Sequence, residues 1–119
     1  MVKRGNTIIA VFGGVLGGKP RPAVIVQDDL FDGPVTVLAI PFTSGLKTAS
    51  FVRPVIEPDD ANGLDEPSCP MTDKVFPVRR EMIGQVIGIL SDQDMQRIEF
   101  AMQVILGMVR TNDEYMRKN

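Results

Sequence analysis

Short apolar segments rich in β-branched residues recur along most of the chain, with turn-forming residues between them. Six such segments are present, at residues 7–12, 22–27, 34–42, 51–57, 70–76 and 82–90. Each is short for a helix, and Gly, Pro, Asn and Asp cluster in the gaps, where their backbone preferences favour turns. The pattern predicts a mainly β fold with six short strands, arranged as a small barrel or a strongly coiled sheet.

The hydrophobic period changes at Ser91, and a helix is predicted over residues 91–110. Ser91 can cap this helix through its hydroxyl oxygen. Asp92 and Asp94 fall in the first turn, where carboxylates are stabilised by the positive end of the helix dipole. The fold is therefore predicted to close with a C-terminal helix.

The predicted helix is apolar over more of its circumference than one sheet can cover. The stripe predicted to face the sheet is centred on Ile98, Met102 and Ile105. Three further apolar residues lie outside that stripe, namely Phe100, Val104 and Leu106. These three are candidates for a second contact surface, such as a dimer interface.

The length of 119 residues fits a single domain, predicted to span residues 1–119. The strands would occupy about residues 3–90, the helix 91–110 and a polar tail 111–119. No apolar run approaches the roughly 18 residues of a membrane span, and no clear signal-peptide cleavage site is present. A cytoplasmic protein that does not bind membranes is expected.

Histidine is absent, and the only cysteine is Cys69. This composition excludes imidazole and thiolate zinc sites, Ser-His-Asp and Cys-His nucleophile systems, and an internal disulfide. Neither a metal nor another cofactor is expected. An enzyme of this composition would have to use Arg, Lys, Asp, Glu, Ser, Thr or Tyr side chains.

Charge is unevenly placed, although the net charge of −2 provides no overall attraction for a polyanion. Up to residue 56 there are six basic and three acidic residues. Residues 57–66, called the acidic loop below, carry five acidic residues and no basic one. Such a cluster is typical of a solvated surface, so nucleic-acid binding would have to rely on the basic N-terminal half.

A glycine-rich stretch at residues 13–19 has the glycine and lysine spacing of a phosphate-binding loop. Pro20 stands where that motif has Ser or Thr, and Pro22 forbids the continuous helix that such a loop must open. The stretch is therefore predicted to connect two strands, with Lys19 and Arg21 at its rim.

Polar residues adjoin the ends of three predicted segments and could meet at one edge of the sheet. Arg21 precedes one strand, Thr43 and Ser44 follow another, and Asp73 lies beside Lys74 on a third segment. On this pattern alone, an ordinary surface charge at Arg21 and a turn residue at Thr43 are the simpler interpretations.

The order of the segments resembles the MazF/PemK family of type II toxin–antitoxin ribonucleases, also called the Kid family. The likeness covers about residues 3–108 and is carried by KPRPAVIVQ at 19–27, VLAIPFTS at 37–44, DK at 73–74 and IGQV at 83–86, followed by the closing helix. The combination of the first two stretches at this distance is more specific than either one alone.

This resemblance implies an SH3-like barrel with a C-terminal helix, related to the CcdB and MazF folds. It also implies a symmetric homodimer that cuts single-stranded RNA, including mRNA, at short sequences without a metal. A cognate antitoxin would inhibit it by laying an acidic, apolar tail over Lys19, Arg21 and Lys47.

The family's catalytic residues match Arg21, Thr43 and Asp73. RNA can be cut through attack of its own 2′-hydroxyl, so the protein must remove a proton, stabilise negative charge and help the 5′ oxygen leave. Arg21 is predicted to stabilise charge, Thr43 to donate to phosphate or align the 2′-hydroxyl, and Asp73 to act as the general base. The residues predicted to bind RNA are Lys19, Ser44, Lys47 and Lys74.

Two other functions fit a barrel of this kind. A CcdB-like inhibitor would dock its terminal helix on gyrase, but CcdB ends in Trp-Gly-Ile, and this chain has no tryptophan and ends MRKN. The other alternative is a non-catalytic barrel that only binds nucleic acid. Cleavage of RNA in EDTA would separate both alternatives from the ribonuclease.

Overall fold

The computed structural model describes residues 2–31, 33 and 35–109. The predicted tail at 111–119 lies outside these residues. Six strands and one α-helix are formed by the described residues: β1 (Asn6–Val11), β2 (Pro20–Ile25), β3 (Thr36–Thr43), β4 (Cys69–Pro70), β5 (Phe76–Arg79), β6 (Ile83–Ile89) and α1 (Asp92–Ile105). The fold is a mostly antiparallel sheet with one C-terminal helix, as the sequence predicts.

Neighbouring strands pair in the order β4-β3-β2-β1-β6, and β5 pairs with β3 beside this path. The long strand β3 connects the parts of the sheet, because it pairs with β5 through residues 36–39, with β2 through 39–41 and with β4 through 42–43. Among the described residues the outer strands β4 and β6 do not pair with each other, so the pairing does not close. The predicted closed SH3-like barrel is therefore not confirmed.

Both faces of β2 are buried, which explains its nearly continuous apolar sequence. Ala23 and Ile25 pack into one core cluster with Ile8 of β1. Val24 points the other way, into a second cluster that contains Ile98 of α1. The helix thus covers one face of the sheet and leaves the end of β2 that carries Arg21 at the rim.

The helix begins as predicted, with Ser91 accepting a hydrogen bond from the backbone N–H of Asp94 at 3.1 Å. It ends at Ile105, earlier than predicted, and Gly107 follows in the left-handed region at φ 74°. Ile98 is buried, but Ile105 is 38% exposed. The prediction that Ile105 faces the sheet is therefore wrong, because the helix ends there without a neighbouring strand to cover it.

Two predicted strands differ from the structure. Residues 51–57 form only isolated bridges, between Ser50 and Arg53 and between Ile56 and Ser68, because Pro54 interrupts the run. The predicted strand at 70–76 is divided into β4 and β5 by a turn, in which the N–H of Lys74 donates to the carbonyl of Met71. Asp73 lies in this turn.

Candidate active site

A cleft of about 210 Å³ opens between the ends of β2 and β3 and the last part of the acidic loop. Arg21, Thr43 and Ser44 line one side of it. Asp65, Glu66 and Ser68 contribute to the lining from the loop that follows Gly63. The structure therefore brings together three of the residues that the sequence predicts for the site.

Arg21 is the second residue of β2, paired with Ala10 of β1 and flanked by prolines. Its Nη2 donates to the carbonyl of Leu16 at 3.4 Å, which anchors the side chain to the glycine-rich connection. Its Nε is buried and has no hydrogen-bond partner among the described residues. Arg21 therefore lines the cleft with a guanidinium that is bonded among the described residues only through Nη2.

Thr43 is the last residue of β3, where its pairing with Cys69 of β4 fixes the backbone. Its Oγ1 accepts a hydrogen bond from the backbone N–H of Gly45 at 3.1 Å. Because the oxygen acts as an acceptor in this contact, the hydroxyl hydrogen can be donated into the cleft. Arg21 and Thr43 thus present donors of two kinds to the same space.

The acidic loop is held by a buried amide. Asn62 is fully buried, and its Nδ2 donates to the carbonyl of Glu57 at 2.9 Å. Its Oδ1 accepts from the N–H groups of Asp59 at 3.2 Å and Leu64 at 3.0 Å. The hydroxyl of Thr7 on β1 donates to the carbonyl of Asn62 at 2.7 Å. These bonds fix the loop to the sheet.

The same loop also lies directly on β6. The N–H of Ile89 donates to the carbonyl of Ala61 at 2.8 Å. A Cβ atom at Gly88 would lie 2.1 Å from the Ala61 oxygen, and one at Gly63 would lie 2.2 Å from the oxygen of Ile87. Only glycine permits this close approach, which sets Asp65 and Glu66 at the cleft.

Sequence reasoning missed the two carboxylates that line the cleft. Asp65 and Glu66 lie in a stretch whose composition is typical of a solvated turn. The one local signal is the Asn62-Gly63 pair, which marks a turn but not the strand against which it packs.

Asp73 is not part of the cleft lining, and its carboxylate is bound by two cations. Arg53 donates to Oδ1 through Nε at 3.1 Å and Nη2 at 2.6 Å, and Lys74 donates to Oδ2 at 2.9 Å. The Lys74 hydrogen bond, with a further contribution from Arg53, lowers the pKa of Asp73 from 3.8 to about 2, although partial burial opposes the shift. Arg53 is a third residue that sequence reasoning did not identify.

The predicted RNA-binding residues are divided between two places. Ser44 lines the cleft. Lys19 precedes β2, Lys47 follows Ser44 within the loop after β3, and both are exposed and belong to no ion pair with the described residues. Lys74 is bound to Asp73. Lys19 and Lys47 are thus exposed cations that lie within three residues, along the chain, of the lining residues Arg21 and Ser44.

Cys69 is buried, and burial raises the pKa of its thiol, an effect that nearby Arg53 partly opposes. It is a packed residue of β4 rather than an accessible thiolate. In the part of the chain that the structure describes, no three Cys, Asp or Glu side chains are grouped so that they could hold a metal ion, and no helix is long and apolar enough to span a membrane.

Comparison with known proteins identifies relatives of the whole fold. A family of PemK-like, MazF-like toxins of type II toxin–antitoxin systems matches residues 3–106. The chain is 40% identical over 107 residues to a protein of Mycolicibacterium smegmatis named probable endoribonuclease MazF, and the match covers 90% of this chain and 98% of that protein.

Solved structures of more distant relatives share the fold. A mycobacterial endoribonuclease in complex with its cognate antitoxin has a TM-score of 0.76 at 19% identity, covering 93% of this chain and all of that chain. Mycobacterium tuberculosis toxin MazF-mt6 has a TM-score of 0.73 at 19% identity, covering 88% and 99%. MazF from Deinococcus radiodurans has a TM-score of 0.71 at 19% identity, covering 90% and 97%.

Proposed function

Since the chain belongs to the PemK-like, MazF-like toxins of type II toxin–antitoxin systems and is an endoribonuclease, we propose that it cuts single-stranded RNA through the substrate's own 2′-hydroxyl. In this reaction the bond from the 2′ oxygen to phosphorus forms, and the bond from phosphorus to the 5′ oxygen breaks. The 2′ proton passes to a base, and the leaving 5′ oxygen takes up a proton. The products are a 2′,3′-cyclic phosphate and a 5′-hydroxyl.

Arg21 stabilises the charge that develops on the phosphate. The observation that carries this assignment is the place of Arg21 on the lining of a cleft shared with the Thr43 hydroxyl, with Nη2 the one guanidinium nitrogen that is bonded among the described residues. A guanidinium presents parallel donors that match two phosphate oxygens, and such donors in a partly buried site stabilise a transition state strongly.

Thr43 donates its hydroxyl hydrogen to a phosphate oxygen or aligns the 2′-hydroxyl. The hydrogen bond from Gly45 supports this role, because it holds the Oγ1 atom in one rotamer beside Ser44. An orienting group of this kind contributes to the chemical step more than to affinity.

Removal of the 2′ proton requires a carboxylate that can reach the cleft. Asp65 and Glu66 lie on its lining, so we assign the general base to this wall. The sequence predicts Asp73 for the same role, and Asp73 remains part of the proposed site.

We assign the binding of RNA to Ser44 on the cleft lining, to the exposed Lys19 and Lys47, and to Lys74 in the turn before β5. We further propose that the coiled sheet is an SH3-like barrel, that the protein forms a homodimer and that it acts in the cytoplasm. Apolar side chains on α1 support the dimer, since Phe100 is 45% and Leu106 is 64% exposed. A cognate antitoxin is the expected protein partner, and its acidic tail would compete with RNA for the basic rim.

Incubation with long single-stranded RNA in EDTA tests the function. We expect cleavage by the wild type, 2′,3′-cyclic phosphate ends or their hydrolysed form, and resistance of an RNA with 2′-deoxyribose at the scissile position. Arg21→Ala should lose about 100- to 1,000-fold in rate with the fold intact. The matched control Arg97→Ala removes an exposed arginine of α1 that pairs with Asp94 and should cut normally. Uncut RNA at high protein concentration would favour the two non-catalytic alternatives.

A second variant tests the role of Thr43. Thr43→Val keeps the shape of the side chain but removes the hydroxyl, so it should lower kcat more than it raises KM. A change in KM alone would place Thr43 among the binding residues.

A further inference from the structure

The loop that leaves the cleft, residues 44–53, packs on α1 through the ring of Phe51, whose centroid lies 6.4 Å from that of Phe100, and is otherwise largely exposed. Every residue from 44 to 51 is exposed, and the short turn Leu46–Thr48 contains no buried residue. Its internal hydrogen bonds are short-range, such as the reciprocal backbone pair between Ser50 and Arg53, each at 3.1 Å, and the bond from the Ala49 N–H to the Leu46 carbonyl at 3.0 Å. These residues are called the 44–53 segment below. Because Ser44 and Lys47 belong to it, its position decides where two predicted RNA contacts lie.

Arg53 attaches this segment to the rest of the protein. Its Nε and Nη2 both donate to Oδ1 of Asp73, and its Nη1 donates to Oγ1 of Thr48 at 3.2 Å. One guanidinium therefore joins the turn next to Lys47 to the turn before β5. The hydroxyl of Thr72 adds a bond to the carbonyl of Val52. The Arg53 side chain is 19% exposed, so these bonds are partly shielded from water.

We propose that Asp73 is a positioning residue that acts through Arg53, fixing the 44–53 segment so that Ser44 and Lys47 face the RNA backbone at the cleft. This role rests on the proposed function, but the attachment itself can be measured without RNA. It differs from the prediction that Asp73 removes the 2′ proton.

Three features favour attachment over proton transfer. Both carboxylate oxygens are already bound by cationic donors, and the residue is not on the cleft lining. The pKa of about 2 makes Asp73 a weak base near neutral pH, where an effective base has a pKa closer to the working value. Arg53 and Lys74 are the charged groups that face it.

The two roles predict opposite results for Asp73→Asn. Both Arg53 bonds end on the same oxygen, Oδ1, and asparagine keeps a carbonyl oxygen there. For a positioning residue, Asp73→Asn should stay within about threefold of the wild-type kcat, whereas Asp73→Ala should raise KM by about tenfold at most. Loss of a general base would cost about 100- to 10,000-fold in kcat in both variants.

A double-mutant cycle adds an independent comparison. Arg53→Ala should change kcat and KM as much as Asp73→Ala does, because both substitutions remove the same contact between the two side chains. The double variant should therefore be no less active than either single variant. The acid limb of the pH profile of kcat/KM should keep its position in Asp73→Asn. Arg79→Ala, which breaks the exposed pair with Glu81 at 2.8 Å, is the matched control and should change nothing. A further 100-fold loss on adding Asp73→Ala to Arg53→Ala would overturn the proposal.

Hydrogen exchange separates failure of this proposal from failure of the proposed function. Amides of the 44–53 segment should exchange faster in Asp73→Ala and Arg53→Ala than in the wild type or in Asp73→Asn. Unchanged exchange in Asp73→Ala would overturn the attachment even if RNA is cut. Faster exchange in a protein that cuts no RNA would support the attachment and refute only the enzymatic role.

Discussion

The acidic loop and the 44–53 segment are both turn-rich connections beside the cleft, but they are held in different ways. The acidic loop is fixed by buried groups, above all the amide of Asn62 and the close contact of Gly88 with Ala61. The 44–53 segment is held by the Arg53–Asp73 ion pair and by the ring contact of Phe51 with α1. The acidic loop is therefore built into the core, whereas the 44–53 segment is attached by contacts at the protein surface.

This difference teaches that composition does not determine how firmly a loop is held. A buried hydrogen-bonding group that loses its partner strongly lowers the free energy of unfolding, whereas an exposed ion pair contributes between about 0 and 1 kcal/mol to it. Proton transfer requires a fixed carboxylate, which suits Asp65 and Glu66, since these exposed side chains directly follow the buried residues Asn62 and Leu64. Binding of the RNA backbone tolerates a less firmly held segment, which suits Lys47.

The largest effect is expected at the contact between the acidic loop and β6. Gly88→Ala would place a Cβ atom 2.1 Å from the Ala61 carbonyl oxygen, so one backbone must move. We expect the free energy of unfolding to fall by about 3 kcal/mol in a denaturant titration. Gly13→Ala is the matched control, because no atom lies within 4 Å of its Cβ position. Equal stability of the two variants would show that the loop is not fixed to β6.

A smaller effect is expected from the side-chain bonds of the two loops. Asn62→Ala leaves the part-buried carbonyl of Glu57 and the buried N–H of Leu64 without their partner, so it should lower the free energy of unfolding by about 2 kcal/mol. Thr48→Ala removes the exposed bond to Arg53 and should lower it by less than about 0.5 kcal/mol. Similar losses in both variants would contradict the contrast between the two loops.

Much of the fold could be predicted from the sequence because local pattern determines it. The alternating and β-branched segments locate the main strands, and Ser91 with its acidic first turn locates the helix start. The errors lie where a local break interrupts an apolar run. Pro54 prevents the predicted strand at 51–57, and the turn at Asp73 divides the one at 70–76.

The candidate site could be predicted only in part. Arg21 and Thr43 stand at strand ends, so their meeting follows from the antiparallel pairing of β2 and β3. Glu66 comes to the cleft because Gly63 and Gly88 allow the acidic loop to lie on β6, a contact between residues far apart in the chain. The pairing of Arg53 with Asp73 likewise joins residues twenty positions apart, with no local pattern to indicate it.

The salt dependence of RNA binding tests the 44–53 segment more finely. In an Arg21→Ala background, which prevents cleavage, Lys47→Ala should reduce the slope of log affinity against log salt by about 0.7 for a single strand. Lys3→Ala is the matched control, because Lys3 is an exposed lysine that lines a different cleft, with Val2 and Asp28. Fluorescence anisotropy between 50 and 200 mM salt, as rough bounds, measures both slopes. An unchanged slope for Lys47→Ala would place this segment away from the RNA.

The smallest effect is expected from acid, and it applies only to the surface attachment. Lys74 and Arg53 hold the pKa of Asp73 at about 2, below its ordinary value of 3.8, so the unfolded chain binds this proton at a higher pH than the folded one. The contribution of Asp73 to stability is therefore complete above 3.8 and disappears as the pH falls through about 2. Because the carboxylate is 40% exposed, we expect a contribution of only about 0.5 kcal/mol. Denaturant titrations should show that the wild type is more stable than Asp73→Asn at neutral pH and equally stable near the folded-state pKa of about 2. Asn62→Ala is the control, because its lost bonds to Glu57 and Leu64 involve no titratable side chain. Its loss of stability should persist at low pH. A deficit of Asp73→Asn that does not change with pH would mean that the carboxylate charge does not hold the segment.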